Sequence, residues 1–179
     1  MAKKLLVHIC CGPCLIHPLA RLRAAGWDVR GFFYNPNIAP AHELQLRRQT
    51  LQSYAAQEQL PWTAEDPGEQ PFLDAVGGIT ERPERCRRCW YLRLKKTAEQ
   101  ARQQDIGSFC TTLQVSPYQD LSWVQAAGEQ AAAETGVRFV AADFRVGYRQ
   151  AVTVAKQQGM YRQKYCGCRF SLAERARHE

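Results

Sequence analysis

Short apolar runs alternate with stretches of helical periodicity, and that alternation limits what this chain can fold into more than any other feature. The runs are residues 4–10 (KLLVHIC), 27–34 (WDVRGFFY), 61–65, 106–112 (IGSFCTT) and 137–142 (VRFVAA). Between the first two, Leu15, Leu19 and Leu22 recur at helical spacing and Gly26 supplies the stop. Residues 41–59 carry Leu44, Leu51, Tyr54 and Ala55 on one face and are closed by Pro61. Residues 67–78 read as loop and short helix. Residues 87–104 form a long helix with Leu94, Ala98 and Ala101 as its apolar row. Asp120 caps a helix bearing Leu121, Val124, Gly128 and Ala131; another covers 148–158, and a last one follows Phe170. Strands in that rhythm pair in parallel through right-handed crossovers, so the expectation is an α/β fold with a largely parallel sheet. At 179 residues, one domain over 1–179 with one core fits. Ligands of such sheets sit beyond the carboxyl ends of the strands. Here those ends are 10–14, 34–37, 111–118 and 143–145, the stretches richest in reactive side chains.

Several classes fall away. An apolar share of 45% excludes a disordered chain. No stretch approaches the roughly 18 apolar residues of a membrane span. Lys3 and Lys4 followed by Leu5, Leu6 and Val7 resemble a signal, but His8 cuts the run below the ~7–15 residues of a signal core. A cytoplasmic protein, with no membrane partner, is expected. There thiols stay reduced, so eight cysteines point to metal or redox chemistry rather than structural disulfides.

The cysteines fall into three groups: Cys10, Cys11 and Cys14 in HICCGPC; Cys86 and Cys89 in ERCRRCWYLR; Cys166 and Cys168 in YCGCRFS. Cys110 stands alone in a strand and reads as a small core hydrophobe. The first group lies at a strand-to-helix turn and the second at a helix entry, where backbone N–H groups and the helix dipole favour thiolate. Two plus two thiolates make the sulfur set of a [4Fe–4S] cluster or of a structural zinc. Cys11-Gly12-Pro13-Cys14 also matches the disulfide-exchange motif of thioredoxin, which would make the chain a disulfide reductase acting through Cys11 and Cys14. The C-x-C pair can form a strained, easily reduced disulfide or supply two more metal ligands, and Gly167 permits the backbone such a ring needs.

The net charge of +7 is concentrated. Residues 81–96 hold seven bases and two acids, 143–170 six bases and one acid, and 113–136 three acids and no base. The basic stretches are the ones that carry Cys86, Cys89, Cys166 and Cys168. Trp90, Tyr118, Tyr148, Tyr161 and Tyr165 lie in or near them and can stack on a splayed base. A basic collar around a redox site suits a nucleic acid. Trp27 and Trp62 are expected in the core.

Six motifs, in order, carry a resemblance nearly end to end: HICCGPC from His8, FYNPNIAP from Phe33, RCRRCWYLRL from Arg85, TTLQVSPYQD from Thr111, DFRVGYRQ from Asp143 and YRQKYCGCRFS from Tyr161. The sequence resembles the QueH family of epoxyqueuosine reductases. That resemblance implies a Rossmann-like core similar to the adenine nucleotide alpha hydrolase (HUP-like) group, with a metal site at the strand C-terminal ends. It implies reduction of epoxyqueuosine to queuosine at wobble position 34 of tRNA, the last step of queuosine biosynthesis. The substrate would be tRNA with a GUN anticodon, and electrons would come from an external donor. By motif, Cys10, Cys11, Cys86 and Cys89 would ligate the [4Fe–4S] cluster. Cys14 would contribute to a second, mononuclear metal ion (iron or zinc), and Cys166 and Cys168 would be the redox-active pair. Asp143, Tyr118 and Tyr148 are candidate proton donors. Arg145, Arg149 and Arg162 would hold the tRNA backbone, with Asn35 and Asn37 near the modified base. Gly12 stands where the family commonly has Ala, Pro83-Glu84 where a Gly is usual, and Gln150-Ala151 where a hydroxyl residue often follows; no expected ligand is lost.

Overall fold

The computed structural model describes residues 3–177. The order of elements is β1 (Lys3–His8), α1 (Gly12–Ala24), β2 (Trp27–Tyr34), α2 (Ala41–Gln57), β3 (Trp62–Glu65), α3 (Gln70–Val76), α4 (Glu84–Gln103), β4 (Ser108–Thr111), α5 (Leu121–Thr135), β5 (Arg138–Phe139), α6 (Tyr148–Gln157) and α7 (Arg169–Ala176). Short 3-10 turns cover Thr112–Val115 and Arg145–Gly147. The five strands form one sheet in the order β3-β2-β1-β4-β5, every pair parallel. This is the expected α/β architecture. The chain winds from β1 outward to β3, then returns to place β4 on the other side of β1. The crevice between the ends of β1 and β4 is therefore the topological switch point.

Alternation along β1 sends Leu5 and Val7 to one face and Leu6 to the other. Leu6, Phe32 and Phe109 pack against α4 and α5 through Leu94, Ala98, Val124 and Ala131. On the opposite face Leu5, Val7, Phe33 and Cys110 pack against α1 and α2 through Leu15, Leu19, Leu51 and Ala55. Each fully buried Leu, Val or Phe among these stabilises the fold by roughly 1.5–3 kcal/mol. Gly26 ends α1 at φ 82°, and the Asp120 carboxylate accepts from Trp123 N to cap α5. Gly128 lets α5 lie directly on β5, since a Cβ there would sit 2.5 Å from the Phe139 ring. No helix among the described residues is long and apolar enough to cross a membrane.

Four expectations shift. Helix α4 begins at Glu84, not at residue 87: Pro83 serves as N-cap and Glu84 complements the helix dipole, so Cys86 lies inside the first turn. Strand β5 spans only Arg138–Phe139 because the Gln114 side chain takes over the next backbone groups, accepting from Ala142 N at 2.8 Å. The last helix starts at Arg169, with Cys168 Sγ accepting from Ser171 N as its cap. Trp27 and Trp62 are half-buried rather than core: β3 is an edge strand, and Arg138 lies over the Trp27 ring at 5.7 Å.

Candidate metal and redox site

All three cysteine groups converge on one cavity of about 630 Å3 beyond the strand ends, lined by Cys10, Cys14, Cys86, Cys89, Cys166 and Cys168. The first group is set by the turn between β1 and α1. Cys10 N donates to Thr112 Oγ1 at 3.1 Å, and that hydroxyl donates back to Cys10 Sγ at 3.4 Å, so the turn is pinned to the end of β4. Beneath it, buried His8 spans three strands. Its Nε2 donates to the Tyr34 carbonyl at 3.1 Å and its Nδ1 accepts from the Thr111 hydroxyl at 2.9 Å. Burial, reinforced by the Arg93 guanidinium, pushes His8 down to about 3 and keeps it neutral. Gly12 is tightly enclosed. A Cβ there would stand 3.0 Å from both Met160 Cε and Thr50 Cγ2, which accounts for the smaller residue at this position.

The sulfurs of Cys10, Cys11 and Cys14 all lie within 4.8 Å of one another. Hydrogen bonds from the Cys11 and then the Cys14 thiol hold Cys10 well below the usual thiol range. Burial, ahead of the Cys10 neighbour, pushes Cys11 up, and the two neighbouring sulfurs push Cys14 up. One thiolate served by two thiols is a ready-made cation site. Cys11 is 1% exposed. It is therefore unlike the accessible, low-pKa thiol that disulfide exchange requires, which counts against the thioredoxin-like reading. Cys86 and Cys89 face the same cavity from the first turns of α4, and burial pushes Cys89 up to about 11.

Three guanidinium groups are buried in the cavity wall: Arg47, Arg85 and Arg93. Arg47 pairs with buried Glu43 at 2.8 Å. Arg85 reaches Glu174 at 2.7 Å, yet its Nε and Nη2 have no partner. Arg93 donates to the Asn35 carbonyl oxygen at 2.6 Å and bonds the Cys89 sulfur, and its Nε has no partner. Buried cations need compensation. Thiolates, and an anionic cluster on them, would supply it here. Sulfur donors and surplus buried positive charge together fit a thiolate-ligated iron–sulfur group.

Residues 160–168 form a strap over the cavity. Tyr161, Gln163 and Tyr165 are half-buried and Arg162 and Lys164 exposed, and Gln163, Lys164 and Tyr165 all line the cavity. The Tyr161 hydroxyl bonds Glu43, Tyr165 OH donates to the Ala39 carbonyl at 2.5 Å, and Ala39 N donates to Gly167 O at 2.8 Å. Gln163 Nε2 lies 3.0 Å from Cys11 Sγ. Gly167, at φ 119°, brings Cys166 Sγ to 3.7 Å from Cys168 Sγ; all eight cysteines are free thiols. The Cys168 thiol and then Ser171 hold Cys166 well below the usual thiol value, while Cys168 is pushed up.

The other expected residues divide. Tyr118 and Tyr148 line the cavity mouth edge to face, 6.0 Å between ring centres. Burial, then the Tyr118 neighbour, raises Tyr148 above its ordinary value. Asn37 lines the cavity, buried, with an unpartnered Oδ1. Asn35 does not face it openly. Its amide donates to the Ile9 carbonyl at 2.9 Å and its oxygen receives Arg93, so it braces the sulfur turn against α4. Asp143 lies outside the lining. Arg145 chelates it at 2.8 and 2.6 Å and holds its carboxyl down at about 2. Arg149 and Arg162 are exposed and likewise outside the lining. Sequence reasoning missed Arg47, Arg85, Arg93, Thr112 and Gln163. For Arg47 a signal existed, since Glu43 four residues earlier on the same helix face is an ion-pair spacing.

Comparison with known proteins gives three findings. A family profile described as Epoxyqueuosine reductase QueH matches residues 5–174. The epoxyqueuosine reductase QueH of Thermotoga maritima is 35% identical over 185 residues, covering 95% of this chain and 91% of that one; that of Dehalococcoides mccartyi is 34% identical over 177 residues, covering 98% and 96%. Among solved structures, the U34-tRNA thiolase NcsA from Methanococcus maripaludis with its [4Fe-4S] cluster superposes with a TM-score of 0.59 at 12% identity, over 95% of this chain and 61% of that one. A predicted tRNA methyltransferase subunit from Methanocaldococcus jannaschii gives 0.57 at 11%, over 86% and 74%. At such identities these two establish the fold alone.

Proposed function

The chain belongs to the QueH family of epoxyqueuosine reductases, and from that premise we propose that it reduces epoxyqueuosine to queuosine at position 34 of a GUN-anticodon tRNA in the cytoplasm, and that its residues divide the work as follows. The observation that carries this reading is the convergence of six cysteines and three buried arginines on one cavity at the strand ends. Converting an epoxide to an alkene takes two electrons and two protons and releases water. Cys10, Cys11, Cys86 and Cys89 would hold a [4Fe–4S] cluster, which supplies single electrons drawn from an external donor. Cys14 would help to hold a second, single metal ion that supplies Lewis acidity.

The chain's own groups do the rest. The Cys166–Cys168 pair, 3.7 Å apart, can close to a disulfide and so release two electrons and two protons. Arg85 and Arg93 balance the added negative charge. Tyr118 and Tyr148 stand at the mouth where a base would enter, and Tyr148, kept protonated, can donate to the departing oxygen. Asn37, buried in the cavity wall, keeps an unpartnered Oδ1. Arg149 and Arg162 suit the phosphates outside, and Arg145 joins them while holding Asp143. The test is anaerobic purification with metal analysis. A brown protein with about four irons or more per chain is expected; a colourless, zinc-only protein with full activity would contradict the cluster.

A further inference from the structure

Two uncharged side chains place hydrogen-bond donors on the first sulfur group. Thr112 donates to Cys10 Sγ at 3.4 Å, and Gln163 Nε2 stands 3.0 Å from Cys11 Sγ and 3.6 Å from Cys14 Sγ. A metal-bound thiolate only accepts and an amide nitrogen only donates, so on a ligated Cys11 it is the Gln163 nitrogen that faces the sulfurs. The strap is held on either side of Gln163. On one side Tyr161 is bonded to Glu43; on the other Arg47 donates to the carbonyls of Tyr165 at 3.0 Å and Cys166 at 3.1 Å. Gln163 is half-buried and lines the cavity, between exposed Arg162 and Lys164.

Hydrogen bonds to the sulfurs of an iron–sulfur group favour its more negative, reduced form and so raise its potential. In a cavity walled by protein the effect of a fixed dipole is larger than in water. We propose that Gln163 is a positioning residue whose side-chain amide, donated to Cys11, sets the reduction potential of the iron–sulfur group; this rests on the cluster reading above. Thr112 acts in the same sense from the other side, on Cys10.

The experiment is a redox titration, followed by EPR, of anaerobically reconstituted wild type and Gln163→Met. Equal iron and a lower potential in the variant are expected, with Thr112→Val also lowered and the two shifts roughly adding. An unchanged potential in iron-replete Gln163→Met overturns the assignment. Should that variant not retain iron, wild type carrying 15N in its glutamine side chains is read by pulsed EPR. A hyperfine coupling to an amide 15N is expected, and its absence overturns the assignment equally. A wild type that assembles no cluster contradicts the cluster reading, and this inference falls with it.

Discussion

Arg47 Nη1 donates to the carbonyl of Cys166 at 3.1 Å, tying the middle of α2 to the strap that carries the sulfur pair. The same guanidinium pairs with Glu43, and both side chains are buried. Replacing Arg47 with Met leaves Glu43 charged in the interior, still bonded to the Tyr161 hydroxyl but without its cation. A loss of about 3–5 kcal/mol is expected in urea unfolding. Glu43→Gln in the same chain should recover part of it. Faster alkylation of Cys166 in the folded variant would report the freed strap.

Cys166 and Cys168 are proposed to relay electrons rather than to hold the cluster. Changing either to Ser should abolish turnover while leaving cluster absorbance in place. If both variants reduce epoxyqueuosine normally, the relay has no role. If absorbance disappears with activity, the pair are ligands instead.

The proton donor separates two candidates. Arg145 holds the Asp143 carboxyl at about 2, so it is ionised at every working pH and has no proton to give. Tyr148 is raised above the ordinary tyrosine value, so it keeps its proton through neutrality. Tyr148→Phe should lower kcat by roughly 10²–10⁴-fold, the usual range for a lost general acid, and Asp143→Asn far less. The sign for pH follows. No acid limb should arise from Asp143 near neutrality, and a limb from Tyr148 should lie on the alkaline side. A larger loss in Asp143→Asn would reverse the assignment.

Gly128 is a packing constraint remote from the chemistry. A Cβ would stand 2.5 Å from the Phe139 ring, and ring carbons fixed against β5 cannot retreat cheaply. Gly128→Ala should cost about 1–3 kcal/mol in thermal unfolding. Adding Phe139→Leu should relieve it.

The fold was legible because its signals are local. Residues 27–34 are bounded by Gly26 and by Asn35-Pro36-Asn37, so β2 matches to the residue. The start of α4 was misplaced because Pro83-Glu84 reads as loop, although Glu84 complements the new helix end. The cysteine groups were legible from spacing. Arg85 and Arg93 were not, since charge on a helix ordinarily means solvent, and only the cavity reveals them buried. Gln163 carries no pattern at all. Its contact with Cys11 joins positions 152 residues apart, and only the folded strap brings it there. Asn35 was expected beside the substrate by its motif, yet both its amide atoms are taken by Ile9 and Arg93.

The most direct measurement is an anaerobic assay on tRNA bearing epoxyqueuosine, with iron-reconstituted protein and a chemical reductant, read by mass spectrometry of the digested nucleosides. The account predicts that queuosine appears in proportion to enzyme and reductant, and that iron-free protein gives none. Unchanged epoxyqueuosine with cluster-loaded protein, or equal conversion by the iron-free protein, would contradict it.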